Sequence, residues 1–271
     1  MKNSTNGHRR TETQTEAMSQ AKPKSQPQSR LDSPARSTRR LWVVVPAAGS
    51  GRRMGAERPK QYLELNGRRV IEHTLARLAA VPSVAGMVVA LAPQDRYWQG
   101  VAPPAGVPVE TVTGGAMRHL SVRNALLWLE SRTADHDWVL VHDAARPCVR
   151  SADVQRLVDE LWEDETGGLL AVPAADTLKR AAGDPPRAGE TIHREGLWHA
   201  LTPQMFRRRT LQGAIEAAMQ AGVAITDEAG AMEYCGFRPR LIRGARDNIK
   251  ITTPEDLELA ARYLCWQEEG A

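Results

Sequence analysis

Cysteine is scarce in this chain: Cys148, Cys235 and Cys265 are the three in 271 residues, widely spaced and odd in number. Such a set builds no disulfide framework, has no zinc-ligand spacing and suits a reducing cytosol; the expectation is three small thiols in or near the core. Long apolar runs are missing too. The longest, Leu41–Ala48, is interrupted by Pro46 and falls far short of the ~20 residues a membrane helix needs, and no hydrophobic signal-peptide core precedes it. The histidines show no paired metal-ligand spacing. No Ser-His-Asp arrangement is suggested, and no side chain stands out as a nucleophile.

Residues 1–40 lack large apolar side chains almost entirely and hold nine Lys/Arg against three acids. A segment of that composition cannot bury enough surface to offset its ordering entropy, so a disordered basic extension is expected. The formal net charge of +4 and the basic balance belong mostly to this segment, which argues against a nucleic-acid-binding domain. A targeting leader and a vector-derived extension both fit it, and plastid targeting stays open beside a cytoplasmic location.

Residues 41–271 suit one α/β domain or one domain with an appendage. Short apolar runs at Leu41–Val45, Gly86–Leu91, Val109–Val112, Trp138–His142, Gly168–Val172 and Pro239–Ile242 alternate with stretches of helical period. The helical stretches are Val70–Ala80, His119–Arg132, Ser151–Glu163, Arg207–Ala221, Asp227–Cys235 and a last one opening on Thr253-Pro254. Strands that are apolar throughout and alternate with helices predict a mostly parallel sheet covered on both faces, with ligands beyond the strands' carboxyl ends. Residues 173–204, rich in Pro, Gly and charge and without helical period, interrupt the alternation. A structureless excursion is expected there, possessing a function, with an arm at about 173–197 reaching a partner subunit as one reading.

Three strand ends carry chemistry. After the first comes "PAAGSGRR". It fails as a Walker loop, because Gly55 is followed by Ala56, and as a dinucleotide fingerprint, because Gly49, Gly51 and Gly55 give one residue too many. What remains is a turn of small residues, Ala47 to Gly51, followed by Arg52, Arg53 and then Lys60: backbone amides and full positive charge around an anion. After the fourth strand, "HDAARP" places Asp143 where a lone carboxylate is poorly solvated. Mg²⁺ held by Asp143 and ligand phosphates accounts for it, and so does an ion pair with Arg146. "TGGAMRHLS" after the third strand offers a backbone-exposing Gly114–Gly115 turn with Ser121 beyond it. Lys250 precedes the last helix.

In order along residues 41–267, "VVPAAGSGRRM", "PKQYLELNG", "GGAMRHLSV", "VLVHDAARP", "GLWHALTPQ", "ITDEAGAMEYCGF" and "DNIKITTPEDL" closely resemble the 2-C-methyl-D-erythritol 4-phosphate cytidylyltransferase family of the non-mevalonate isoprenoid pathway. The resemblance implies a Rossmann-like nucleotidyltransferase fold, a homodimer joined by exchanged arms, and transfer of a cytidylyl group from CTP to a polyol phosphate with Mg²⁺. It implies that Pro46, Ala47, Ala48, Gly49, Gly51 and Ala144 surround CTP, with Arg53 and Lys60 on its phosphates, and that Gly115, Ala116 and Ser121 meet the base. Some members carry an acid where Ala116 stands, so the contact from this position is a backbone one. Asp143 would hold the metal. Arg146 matches the family's DAARP arginine, and Arg194, Thr226 and Lys250 would meet the acceptor, with Thr177 supplied by the other subunit's arm.

The residues and the resemblance meet on the chemistry. A phosphomonoester is largely dianionic at neutral pH and needs no side-chain base; the barrier is mutual repulsion between polyanions. Lys60, Lys250 and Arg53 are therefore the expected catalytic groups. Ribitol 5-phosphate as acceptor, a non-catalytic nucleotide-binding protein, and nucleic-acid binding through the tail are the competing readings.

Overall fold

A computed structural model describes residues 40–49 and 58–269. Its centre is a seven-stranded sheet in the order β11-β7-β10-β6-β1-β4-β5. The strands are β1 (Leu41–Pro46), β4 (Val84–Leu91), β5 (Val109–Thr113), β6 (Trp138–Val141), β7 (Gly168–Pro173), β10 (Trp198–Arg207) and β11 (Arg240–Arg243). β10 runs antiparallel to both its neighbours, and every other pairing is parallel. The mostly parallel α/β architecture expected from the alternation is what the chain adopts.

Both faces of the sheet are covered. Along β1, Leu41, Val43 and Val45 join one core with Ile71, Leu75 and Leu78 of α1 (Val70–Ala79) and Val154, Leu157 and Val158 of α3 (Ser151–Leu161). Trp42 and Val44 join the opposite core with Val122, Leu126 and Leu129 of α2 (Arg118–Glu130), Leu211 and Ile215 of α4 (Arg208–Gln220), and Met232 of α5 (Glu228–Tyr234). Side chains alternate faces along a strand, so a run in which every residue is apolar serves two cores at once. A third cluster packs Ala260 and Leu264 of α6 (Pro254–Glu269) on Leu65, Val70, Ala145 and Ile251. At the start of α6, the Asp256 carboxylate accepts the backbone N–H groups of Thr252 and Thr253, both at 2.8 Å.

The excursion at residues 173–204 is not structureless. It contains a two-stranded hairpin, β8 (Leu178–Ala182) with β9 (Arg187–Ile192), which pairs with no strand of the main sheet. It also contains most of β10, Trp198 to Gln204. The composition hides β10 for a physical reason. Trp198 to Ala200 are exposed while Thr202 to Phe206 are buried, so no single period runs through it. Pro203, which has no N–H for a ladder, sits where the pairing with β7 slips between Ala200 and Gln204. A second small hairpin, β2 (Glu64–Leu65) with β3 (Arg68–Arg69), turns on Asn66 and Gly67 with φ of 49° and 75°, the left-handed pair a tight hairpin turn requires.

Candidate active site

β1 has β4, its successor on the main sheet, on one side, and β6, reached only after β5, on the other. The connections leaving β1 and β6 therefore diverge, and the crevice between them is where an open α/β sheet binds ligands. A cavity of about 340 Å³ lies there. Pro46, Ala47, Ala48 and Gly49 line it from the end of β1, Gly115, Ala116 and Ser121 from beyond β5, and Asp143 and Ala144 from the end of β6. Lys60 and Lys250, separated by 190 positions in sequence, both line this same cavity.

The β1 turn is held open from behind. Ala47 N–H still pairs with Ala90 O of β4 at 2.8 Å, and Gln61, buried just after Lys60, donates its amide to Ala47 O at 2.7 Å and Gly49 O at 3.3 Å. Lys60 Nζ donates to Ile251 O at 2.6 Å. Across the cavity, the glycines of the second turn are sterically required. A Cβ on Gly114 would lie 2.7 Å from Ala48 Cβ, and one on Gly115 would lie 2.3 Å from Leu120 Cβ. Ser121 is buried, and its hydroxyl accepts from Gly115 N–H at 3.1 Å. In this structure, then, the Ser121 side chain orients the Gly115 backbone.

Asp143 is buried among three cations. Its Oδ1 accepts from Arg118 Nε at 2.8 Å, its Oδ2 lies 2.8 Å from Lys250 Nζ, and Arg146 Nε is 3.5 Å from Oδ2. Burial alone would raise its pKa, but Arg118, Lys250 and Arg146 more than offset that and hold the carboxyl far below the usual range. The Asp143 N–H donates to Thr202 Oγ1 of β10 at 3.1 Å, and Asn248 donates to Thr202 O at 2.8 Å. The neighbouring His142 is fully buried. Its Nδ1 pairs with Thr202 Oγ1 at 3.0 Å and its Nε2 with Arg146 O at 3.1 Å, and burial pushes its pKa down to about 4. Asp143 has no companion metal ligands: no group of three or more His, Cys, Asp or Glu arranged to hold a metal occurs among the described residues. A hard cation here would take the Asp143 carboxylate and fill its shell from ligand oxygens.

The remaining expectations separate. Gly51 and Arg53 lie outside the described residues. Arg146 forms the ion pair with Asp143, donates to Asn248 O at 2.7 Å and lines a neighbouring pocket with His199, Arg246 and Asn248. Thr226 is not among the cavity's lining residues; it is exposed and lines a groove with Leu197, Trp198 and Gly230. Arg194 and Thr177, both exposed, flank the β8–β9 hairpin, and Arg194 donates to Ala175 O. Arg118, Gln61, Thr202 and Glu228 were missed in the sequence. Each sits inside a quoted motif, yet each acts through a partner remote in the chain, so no local spacing marks it.

The chain matches a sequence model of the family described as IspD, 2-C-methyl-D-erythritol 4-phosphate cytidylyltransferase, over residues 41–265. Among relatives bearing that name, the one from Pseudomonas aeruginosa PAO1 is 56% identical over 218 residues, covering 80% of this chain and 93% of the relative. The one from Hahella chejuensis is 50% identical over 225 residues, covering 83% and 93%. A crystal structure of a 4-diphosphocytidyl-2C-methyl-D-erythritol synthase superposes with a TM-score of 0.72 at 36% identity, over 83% of this chain and 99% of the other. The Francisella tularensis cytidylyltransferase does so with a TM-score of 0.71 at 33% identity over the same shares. The seven motifs, the nucleotidyltransferase sheet and the cation-lined crevice agree with these likenesses, and the chain belongs to the 2-C-methyl-D-erythritol 4-phosphate cytidylyltransferase family.

Proposed function

We propose that this chain transfers the cytidylyl group of CTP to 2-C-methyl-D-erythritol 4-phosphate, giving 4-diphosphocytidyl-2-C-methyl-D-erythritol and pyrophosphate in isoprenoid precursor biosynthesis. The observation that carries the reading is the convergence of Lys60, Lys250 and Asp143 on one cavity beside a turn of small residues. The acceptor's phosphate oxygen attacks the α-phosphorus of CTP, that P–O bond forms as the bond to the β-phosphate oxygen breaks, and pyrophosphate leaves. No proton has to move, because the attacking group is already an anion near neutral pH. This agrees with His142, the histidine nearest Asp143 in sequence, being buried with both ring nitrogens engaged.

Catalysis on this reading is electrostatic. Lys60, Lys250 and Arg53 neutralise the triphosphate as charge builds on the leaving pyrophosphate. The Gly115 turn, held by Ser121, meets the base through its backbone, as does Ala116. Magnesium on Asp143 would add Lewis-acid stabilisation of the phosphoryl oxygens when bound. Thr226, Arg194 and Arg146 are assigned to the acceptor, with Thr177 from a partner's arm. The reading includes a cytoplasmic homodimer with residues 1–40 as a basic extension to the catalytic domain. The exposed hairpin and the partly exposed Leu197, Trp198 and Leu241 beside the Thr226 groove support an arm-mediated dimer.

The test is pyrophosphate release from CTP and magnesium with two acceptors in parallel. Release with methylerythritol phosphate and not with ribitol 5-phosphate is expected. Release with ribitol 5-phosphate alone, or CTP binding without turnover, overturns the assignment.

A further inference from the structure

Among the charged groups at the cavity, Arg118 has two carboxylate partners. Its Nε donates to Asp143 Oδ1 at 2.8 Å, while its two terminal nitrogens grip Glu228 at 2.6 Å (Oε1) and 3.0 Å (Oε2). Glu228 is 1% exposed and opens α5, two residues after Thr226; Arg118 opens α2; Asp143 lies two residues beyond β6. One planar guanidinium therefore joins its own helix to two segments, 25 and 110 positions away in sequence. All three nitrogens of the Arg118 guanidinium are thus engaged by carboxylates, while Lys250 Nζ lies 2.8 Å from the other oxygen of Asp143 and Lys60 Nζ donates to Ile251 O at 2.6 Å. A fork of fixed geometry can serve both carboxylates at once, and an ammonium cannot.

We infer that Arg118 is a positioning residue: it fixes the Asp143 carboxylate by Oδ1, opposite the Oδ2 that Lys250 meets at 2.8 Å, and ties that carboxylate to the start of α5, so that this group and the Thr226 turn keep one relative placement. This rests on the proposed cytidylyl transfer and deepens it by assigning the tie between the nucleotide and acceptor halves. Ser121 and Gly115, which meet the base on that reading, share a hydrogen bond of their own at 3.1 Å.

The experiment compares the full-length parent with Arg118→Gln/Glu228→Gln, in which paired amides replace the Arg118–Glu228 ion pair while Asp143 keeps Lys250 and Arg146 as counter-charges. Melting temperature, calorimetric CTP affinity without metal, and steady-state constants for both substrates are measured. The expected result is a melting temperature close to the parent's, unchanged CTP affinity, and a KM for methylerythritol phosphate raised on the order of 10- to 100-fold, as loss of an outer-shell partner typically gives. Arg118→Lys is expected not to restore the parent constants. Parent-like constants in the double variant, full rescue by lysine, or a loss of CTP affinity that tracks a lowered melting temperature overturns the inference. If the double variant does not fold, Glu228→Gln alone, which leaves Arg118 its Asp143 partner, carries the same expectations and the same refutation. A parent that releases no pyrophosphate with CTP and methylerythritol phosphate instead refutes the function, a result the variants do not affect.

Discussion

Lys60 Nζ donates to the backbone carbonyl of Ile251 at 2.6 Å, and Ile251 is the residue after Lys250. One lysine thus braces the strand-to-helix connection that carries the other, and both amines serve one cavity. Lys60→Ala is expected to raise the barrier by about 3 kcal/mol, on the order of 100-fold in kcat/KM, the usual cost of losing a preorganised electrostatic group. Lys250→Ala is expected to behave similarly. Near-normal turnover in both variants, measured by pyrophosphate release, would end the charge-clamp account.

Asp143 titrates far below an ordinary carboxyl because Arg118, Lys250 and Arg146 overcome the opposing effect of its burial. A carboxyl whose folded pKa is depressed contributes stability above its unfolded value, near 4, and that contribution drains away as pH falls below it. Asp143→Asn should lower the melting temperature at pH 7, since three cations lose their counter-charge, and should flatten the decline on acidification below about pH 5. Thermal melts from pH 7 to 3 check both. The same variant should blunt activation by magnesium, and an unchanged metal titration would remove Asp143 from that role.

His142 behaves differently. Burial lowers its pKa to about 4, below the unfolded value near 6.5, so between these values the unfolded chain binds more protons than the folded one. Stability from this site is complete above about pH 6.5 and diminishes as pH falls toward 4. His142→Asn should weaken that slope in the pH 6.5–4 window. If urea-unfolding free energies of parent and variant fall in parallel across this window, His142 is not the titrating group.

Gly115→Ala tests the second turn. The new methyl would lie 2.3 Å from Leu120 Cβ, so the turn has to shift. A cost of about 1–3 kcal/mol in stability is expected from such overpacking, together with weaker CTP binding measured by calorimetry. CTP affinity equal to the parent's would detach Gly115 from the nucleotide.

The hairpin β8–β9 pairs with no strand of the main sheet. Replacing residues 178–192 with a short turn should leave a folded chain that binds CTP, sediments as a monomer and loses turnover with methylerythritol phosphate. A dimer that persists, or activity that survives, would show that the arm does not complete the site.

Much of this protein was legible in its sequence, because its main signals are local. An apolar run such as Leu41–Val45 has to be buried on both faces whatever surrounds it, and helical period together with a capped Pro254 needs no partner to be recognised. The small-residue turn, Asp143 at the end of a buried strand, and Lys60 beyond an apolar strand likewise follow from residue type and position. Tertiary structure alone decided the rest. β10 reverses direction and changes burial midway, so its period is broken and only its neighbours define it. Arg118, Gln61 and Thr202 acquire roles from partners between 12 and 110 positions away. Hydrogen bonds and ion pairs of that kind depend on distances that exist only after the chain has closed on itself, and no spacing within a motif encodes them.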